Sequence, residues 1–313
     1  MEVVFGTDKV VSVTVTNHVE TASLADPALT NVPAALTGAP SAEEVAKEMT
    51  ADVIVVGAGM AGMAAALSAQ ESGAKVILID KMAAVGGTTN VVGGLLAAVD
   101  AQLFEDDQMP NDDLEKVIAF WGTHMAQSGV ESGYPDQERL ADVLADTGAT
   151  VDWYVANGIE FADAPYAGSP SYPVATANGG GAGLIKMLEA CVVAKGVELI
   201  TECKATELVT DEAGAVVGVI AETAMFLKAL TVAPFYAVKV YPTTFGSAGG
   251  VTTTADGRVT TQAGDVIPGL YAAGEMINRY FYNENYILAA SLGLYSTMGR
   301  RAGAAATQDA PVK

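Results

Sequence analysis

One carboxylate and three glycines carry the first chemistry legible in this chain. Gly57, Gly59 and Gly62 stand at the spacing G-x-G-x-x-G, and Asp80 follows eighteen residues after Gly62. The first glycine allows a tight turn, the second lets a pyrophosphate approach the backbone, and the third lets a helix pack closely on a strand. A carboxylate at the position of Asp80 can accept hydrogen bonds from both hydroxyls of an adenosine ribose. Such groups work only if secondary structure brings them together. The apolar run Val53–Val56 predicts a strand buried on both faces. Residues 60–72 are rich in alanine and leucine and predict a helix whose first N–H groups, those of Met60, Ala61 and Gly62, face the phosphates. Val76–Ile79 predicts a second strand that ends at Asp80. The stretch is a dinucleotide-binding strand–helix–strand unit.

Composition narrows the class. The chain has 313 residues, half of them hydrophobic, which is enough for one large domain or two smaller ones. It contains no run of eighteen apolar residues, so no membrane span is expected. The first residues, Met1-Glu-Val-Val-Phe-Gly, lack the basic start and apolar core of a secretory signal, which favours the cytoplasm. Cys191 and Cys203 are too few for a zinc site or a disulfide framework, and no metal is expected. A net charge of −21 argues against nucleic acid and anionic membranes as partners.

A second glycine cluster follows the carboxylate: Lys81, then Gly86-Gly87-Thr88-Thr89-Asn90, then Gly93-Gly94. A NAD enzyme has no need of it. The segment resembles the one that runs along FAD in the two-dinucleotide-fold flavoproteins, specifically the fumarate reductase and succinate dehydrogenase flavoprotein family. Urocanate reductase and 3-ketosteroid Δ1-dehydrogenase are relatives within it. The resemblance returns near the C-terminus. Gly249-Gly250 matches a glycine pair lying against the flavin, and Ile267-Pro-Gly-Leu-Tyr-Ala-Ala-Gly274-Glu275 matches the last FAD strand. It places Glu275 at the ribityl chain. Ala290-Ser291-Leu292 opens a final helix aimed at the flavin N1/O2 edge, with Ser291 as its N-cap. The implied cofactor is non-covalent FAD, held by Gly57, Gly59, Met60, Ala61, Gly62, Asp80, Lys81, Gly86, Gly87, Thr88, Thr89, Gly93, Gly94, Ala205, Gly250, Gly274, Glu275, Ser291 and Leu292.

The remainder divides unevenly. Residues 1–40 read as two valine-rich strands and a looser stretch similar to part of an FMN-binding module, without its Ser-Gly-Ala-Thr flavinylation run, so FMN is not expected. His18 has no companion ligand, and residues 40–44 start a short helix with a capping box. Residues 111–128 and 135–157 carry helical periodicity, with Trp121, His124 and Met125 inside one turn. Residues 165–178 read as loop, 179–194 as a glycine-led helix and 197–201 as a strand. Residues 206–210 and 215–221 form a hairpin.

The family's capping domain, with its proton-donating arginine or tyrosine, is expected near residues 222–232 and has no counterpart in the sequence. The family's dicarboxylate-clamping histidine and arginine fall at Phe245 or Gly246 and at Tyr286. Arg279, Tyr280, Tyr282 and Tyr286 are the polar residues left on the substrate side. The fold class is α/β: a doubly wound Rossmann-like FAD domain over residues 41–313 with a β-hairpin and helix extension and no cap. The implied activity is hydride transfer at flavin N5 to or from a C=C bond conjugated to a carbonyl or carboxylate. A flavin-binding, electron-carrying protein without substrate turnover is the alternative. The partners implied are a small-molecule substrate or a redox protein, and an oligomer is compatible with the composition.

Overall fold

The computed structural model describes residues 49–104, 114–126, 136–162, 173–223, 249–282, 287 and 289–310. The expectations for residues 1–40, for His18, for the capping box at 40–44, for Phe245, Gly246 and Tyr286, and for most of 222–232 lie outside them.

The dinucleotide unit forms as the spacing requires. Strand β1 (Val53–Val56) leads through helix α1 (Met60–Glu71) to β2 (Val76–Ile79), which pairs parallel with β1 from Val53–Val76 to Val56–Ile79. β5 (Glu198–Ile200) adds parallel to the other side of β2, so the order is β1-β2-β5. β2 is therefore central and all four of its residues are buried. β1 departs from expectation: Val53 is buried but Val56 is 56% exposed. Among the described residues β1 has a neighbour on one side only, which leaves its last residue open beside the glycine turn.

Helix α6 (Ser291–Asp309) lies along α1 at backbone contact. A Cβ at Gly299 would stand 2.2 Å from the Ala61 carbonyl oxygen, and one at Gly303 would stand 2.1 Å from that of Ala65. Both numbers rise together, so the helices are parallel. Ser68 Oγ donates to the Arg300 carbonyl at 2.8 Å, and Thr307 Oγ1 donates to that of Ala69 at 3.3 Å. Small residues are what make this approach sterically possible. Met63, Leu67, Leu78, Leu96 and Leu188 fill the core beside α1.

The helical excursion consists of α2 (Leu114–Ala126), α3 (Gln137–Ala145) and α4 (Thr147–Ala156). Trp121, Leu140 and Leu144 pack with Phe281, Leu294 and Met298 in a second core. The continuous helix expected over 135–157 breaks at Asp146 (φ −103°, ψ 1°). Tertiary contacts account for the break. Thr147 Oγ1 accepts the Val99 N–H at 3.1 Å, and a Cβ at Gly148 would be 2.1 Å from the Val99 carbonyl oxygen. The loop expected over 165–178 also contains a short strand. β4 (Val174–Thr176) pairs antiparallel with β3 (Leu95–Ala97), three residues being too few to show a period. α5 (Gly180–Ala194) and the hairpin of β6 (Cys203–Thr210) and β7 (Val216–Thr223) follow the sequence reading, while β8 (Arg258–Thr260) pairs antiparallel with β9 (Val266–Tyr271), a pairing that reading did not include.

Candidate dinucleotide site

The first glycine turn is closed by contacts that no side chain would survive. Gly57 has φ +99°, and a Cβ at Gly62 would lie 1.8 Å from the Gly57 carbonyl oxygen. The helix behind it, α1, has Gly59 as N-cap and no side-chain cap. Its first-turn N–H groups therefore point out of the turn as donors, at the positive end of the helix dipole. Asp80 stands beside them. Its Oδ2 accepts the Ala58 N–H at 2.7 Å and its Oδ1 accepts the Met82 N–H at 2.8 Å. Each carboxylate oxygen keeps a further lone pair, so this orientation leaves room for ribose hydroxyls. Lys81 is exposed, and Ala205 lies on β6, whose first residue Cys203 donates its N–H to the Asp80 carbonyl at 2.8 Å.

The second glycine cluster is tied to the first. Gly86 donates its N–H to the Ala58 carbonyl at 2.8 Å, with φ +105°. A Cβ there would meet Asn90 Nδ2 at 2.4 Å, and Asn90 itself donates to the Val85 carbonyl at 2.6 Å. The cluster folds as a single 3-10 turn, Gly87–Val91, leaving Gly87, Thr88 and Gly93 exposed while Thr89 and Gly94 are buried. The buried pair faces α5. A Cβ at Gly181 would be 1.8 Å from the Thr89 carbonyl oxygen, and one at Gly94 would be 2.5 Å from the Gly180 carbonyl carbon.

The third part comes from the far end of the chain. Gly250 (φ +133°) lies against the 3-10 segment Gly274–Tyr280, where a Cβ would be 2.0 Å from the Met276 carbonyl oxygen. Val251 donates its N–H to that oxygen at 2.8 Å. Gly274 (φ +77°) in turn touches Ala61 of α1, within 3.0 Å of its Cβ for an added Cβ. Glu275 follows at the surface. Its side chain is exposed, yet neighbouring protein removes enough of its hydration to raise the carboxyl above the ordinary range.

Helix α6 begins farther out than α1. Ser291 precedes Gly299 by eight residues, Met60 precedes Ala61 by one, and Gly299 lies level with Ala61, so the α6 N-terminus projects about 10 Å beyond that of α1 at about 1.5 Å per residue. Two parallel helix N-termini, staggered by that distance, face the same side. The N-cap is Ala290 rather than Ser291, and no side chain among the described residues caps the helix. Ser291 turns inward instead: its Oγ meets the Tyr282 hydroxyl at 2.8 Å, and its backbone bridges Leu96. Leu292 is buried beside it.

The remaining substrate-side candidates are engaged in packing. The Tyr280 hydroxyl accepts the Thr253 N–H at 2.8 Å and donates to the Thr253 carbonyl at 3.2 Å. Tyr282 is buried and stacks on Trp121 with centroids 5.7 Å apart, while the Trp121 indole N–H donates to the Phe281 carbonyl at 2.8 Å. Arg279 is half-buried and donates its backbone N–H to the Gly249 carbonyl at 3.1 Å. His124 stands exposed on α2 against Phe120. Sequence reasoning missed Arg139. Its Nη2 donates to the Thr253 carbonyl at 3.2 Å and its guanidinium lies 5.0 Å over the Tyr280 ring. Its Nη1 is buried without a partner among the described residues, as is Thr253 Oγ1. No local pattern marks such a residue, because its partners come from two distant segments. Among the described residues no group of acidic, histidine or cysteine side chains could hold a metal.

Comparison with known proteins agrees with this geometry. Residues 52–225 and 223–285 match the family described as FAD binding domain. Urocanate reductase from Eggerthella lenta is 35% identical over 174 residues, 53% of this chain and 27% of that protein. Fumarate reductase (cytochrome) from Shewanella frigidimarina is 32% identical over 177 residues, 55% of this chain and 29% of that protein. Vinyl phenol reductase from Lactiplantibacillus plantarum is 32% identical over 184 residues, 58% of this chain and 35% of that protein. The chain thus spans between about a quarter and about a third of these three curated relatives. Among solved structures, the open conformation of a flavocytochrome c3 fumarate reductase superposes with a TM-score of 0.66 at 15% identity, covering 82% of this chain and 78% of that one. A 3-ketosteroid-Δ4-(5α)-dehydrogenase from Rhodococcus jostii gives 0.64 at 17% identity, covering 82% and 96%. These likenesses establish the fold.

Proposed function

The chain belongs to the FAD binding domain family, with FAD as its cofactor, and on that premise we propose that it serves an oxidoreductase acting on a C=C bond conjugated to a carbonyl or carboxylate. The observation that carries this reading is the pair of staggered, uncapped helix N-termini with glycine turns between them. Their separation suits a pyrophosphate at α1 and an isoalloxazine at α6. The cradle fits the group: an added Cβ at Gly57 or Gly87 would meet nothing within 4 Å and one at Gly59 only the Gly86 carbonyl oxygen at 3.9 Å, so open space lies against the backbone of both glycine turns.

Bound FAD supplies a hydride donor and acceptor at N5. The protein does the rest. The first-turn N–H groups of α1 neutralise the pyrophosphate, a needed local field in a chain of net charge −21. Asp80 accepts from the ribose hydroxyls and Glu275 from the ribityl chain, both without a covalent link. The α6 N-terminus favours negative charge at the N1/O2 edge. Gly87, Thr88 and Gly93 line the exposed side of the second loop, with Lys81 at the adenosine end.

The proton donor is the open part. The hydroxyls of Tyr280 and Tyr282 are already committed to Thr253 and Ser291, which favours a second reading, a flavin-binding electron carrier. Arg279 and Tyr286 remain the acid candidates under the first. Anaerobic reduction of the bound flavin followed by fumarate, urocanate, cinnamate or a 3-keto steroid separates the two. Reoxidation by any of these at about 1 s⁻¹ or faster supports the oxidoreductase. Reoxidation by oxygen alone supports the carrier, since general acid catalysis, worth about 10²–10⁴-fold, would be missing.

Residues 1–40 fit a remnant of an FMN-binding module and 41–313 the FAD domain. Deleting 1–40 should leave the flavin content as FAD alone and unchanged; FMN lost upon deletion would overturn that division. No helix among the described residues is long and apolar enough to cross a membrane. A small-molecule substrate or a redox protein in the cytoplasm is the proposed setting.

A further inference from the structure

Tyr282 is held in place before its hydroxyl does anything. It follows the 3-10 segment that carries Gly274 and Glu275, and it is 1% exposed. Its ring stacks on Trp121 at an interplanar angle of 25°, and its backbone N–H donates to the Asn278 carbonyl at 2.9 Å. The hydroxyl then reaches Ser291 Oγ at 2.8 Å, inside the protein. Ser291 is the first residue of α6, and its other side is fixed by the bridge to Leu96. Two residues on, Gly293 sits so close to β3 that an added Cβ would be 2.4 Å from the Ala97 carbonyl oxygen. The start of α6 is therefore clamped between β3 and Tyr282.

We propose that Tyr282 is a positioning residue for the flavin, acting through Ser291 to fix the N-terminus of α6 against the N1/O2 edge. The inference rests on the FAD site proposed above. It gives Tyr282 a role other than donating a proton to substrate. Preorganised dipoles are effective because they need not reorient when charge develops, and a helix end free to rock loses that advantage. The negative charge that reduction places along the N1/O2 edge is the charge this helix end meets. Loosening it disfavours the reduced state more than the oxidised state. No bond is made or broken; the effect is electrostatic.

The test is the midpoint potential of the bound flavin in Tyr282→Phe, measured on the full chain loaded with FAD. The substitution keeps the ring and the Trp121 stack and removes one oxygen. FAD stoichiometry should stay at the wild-type level, while the potential becomes more negative by about 30 mV, a tenfold change in the oxidised-to-reduced ratio of a two-electron couple. Ser291→Ala should give a shift of the same sign and similar size. The double variant should be no more negative than Ser291→Ala, because the two residues act in series. An unchanged potential in Tyr282→Phe with FAD fully bound overturns the inference while leaving the FAD site intact. Additive shifts overturn it as well. If Tyr282→Phe does not fold, an unchanged potential in Ser291→Ala has the same force. Wild-type protein that takes up no FAD overturns the site and this inference together.

Discussion

Gly299 of α6 and Ala61 of α1 meet so closely that a Cβ on the glycine would stand 2.2 Å from the alanine carbonyl oxygen. This contact sets the level of α6 against α1, and so the stagger of the two helix ends in the proposed dinucleotide site. Gly299→Ala should force the helices apart at the point where Gly274 also touches Ala61. The expected cost is about 1–3 kcal/mol of stability, the usual range for overpacking. Denaturant unfolding measures it, and flavin retention through gel filtration should fall in parallel. A variant as stable as wild type would mean that the contact relaxes without effect on the site.

Asp80 joins the first glycine turn, through Ala58, to the next segment, through Met82, and in the proposed site it also holds the ribose. Asp80→Ala should weaken FAD binding by about 1.5–3 kcal/mol, the range for hydrogen bonds to a charged group. Fluorescence titration of apoprotein with FAD gives the value. Full affinity in the variant would show that the adenosine lies elsewhere.

Asp146 breaks the helical excursion and receives two guanidinium groups. Arg300 Nη2 lies 2.6 Å from its Oδ1 and Arg301 Nε lies 2.9 Å from its Oδ2, with all three side chains about a quarter exposed. Asp146→Ala leaves two partly buried cations short of a partner, although Arg301 keeps Asp142 at 2.6 Å. The expected loss is about 2 kcal/mol, below the figure for a fully buried pair because solvent screens this one. Urea unfolding at low and high salt tests it, and the loss should shrink as salt rises.

Glu275 supplies the pH dependence. Loss of hydration raises its carboxyl above the ordinary glutamate range in the folded protein. A group with a raised folded pKa favours the folded state most when protonated, so its contribution fades as pH rises through that value. In the proposed site FAD would reverse the preference, because ribityl hydroxyls would donate to the charged form. FAD affinity should therefore rise with pH through the folded pKa of Glu275 and level off above it. Glu275→Gln should abolish that rise. An equal slope in wild type and variant, followed by equilibrium titration from acidic to neutral pH, would place the titrating group elsewhere.

The sequence alone determined what short-range geometry determines. The strand–turn–helix from Val53 to Glu71 and the arrival of Asp80 follow from apolar runs and glycine spacing, since turn torsions and strand lengths are local properties. The glycines at 86–87, 249–250 and 274 were legible through the family resemblance, and at Gly86, Gly250 and Gly274 a positive φ and a close neighbour show why no Cβ is carried. Local pattern could not place α6 on α1, because Gly299 and Ala61 are 238 residues apart and small residues carry no directional signal. Nor could it show that β1 opens at Val56, that the helix breaks at Asp146, or that Ser291 answers Tyr282 rather than capping its own helix. The Arg139–Tyr280–Thr253 contact was invisible too, as its members come from three separate segments. Those features depend on which distant surfaces meet, and tertiary packing alone decided them.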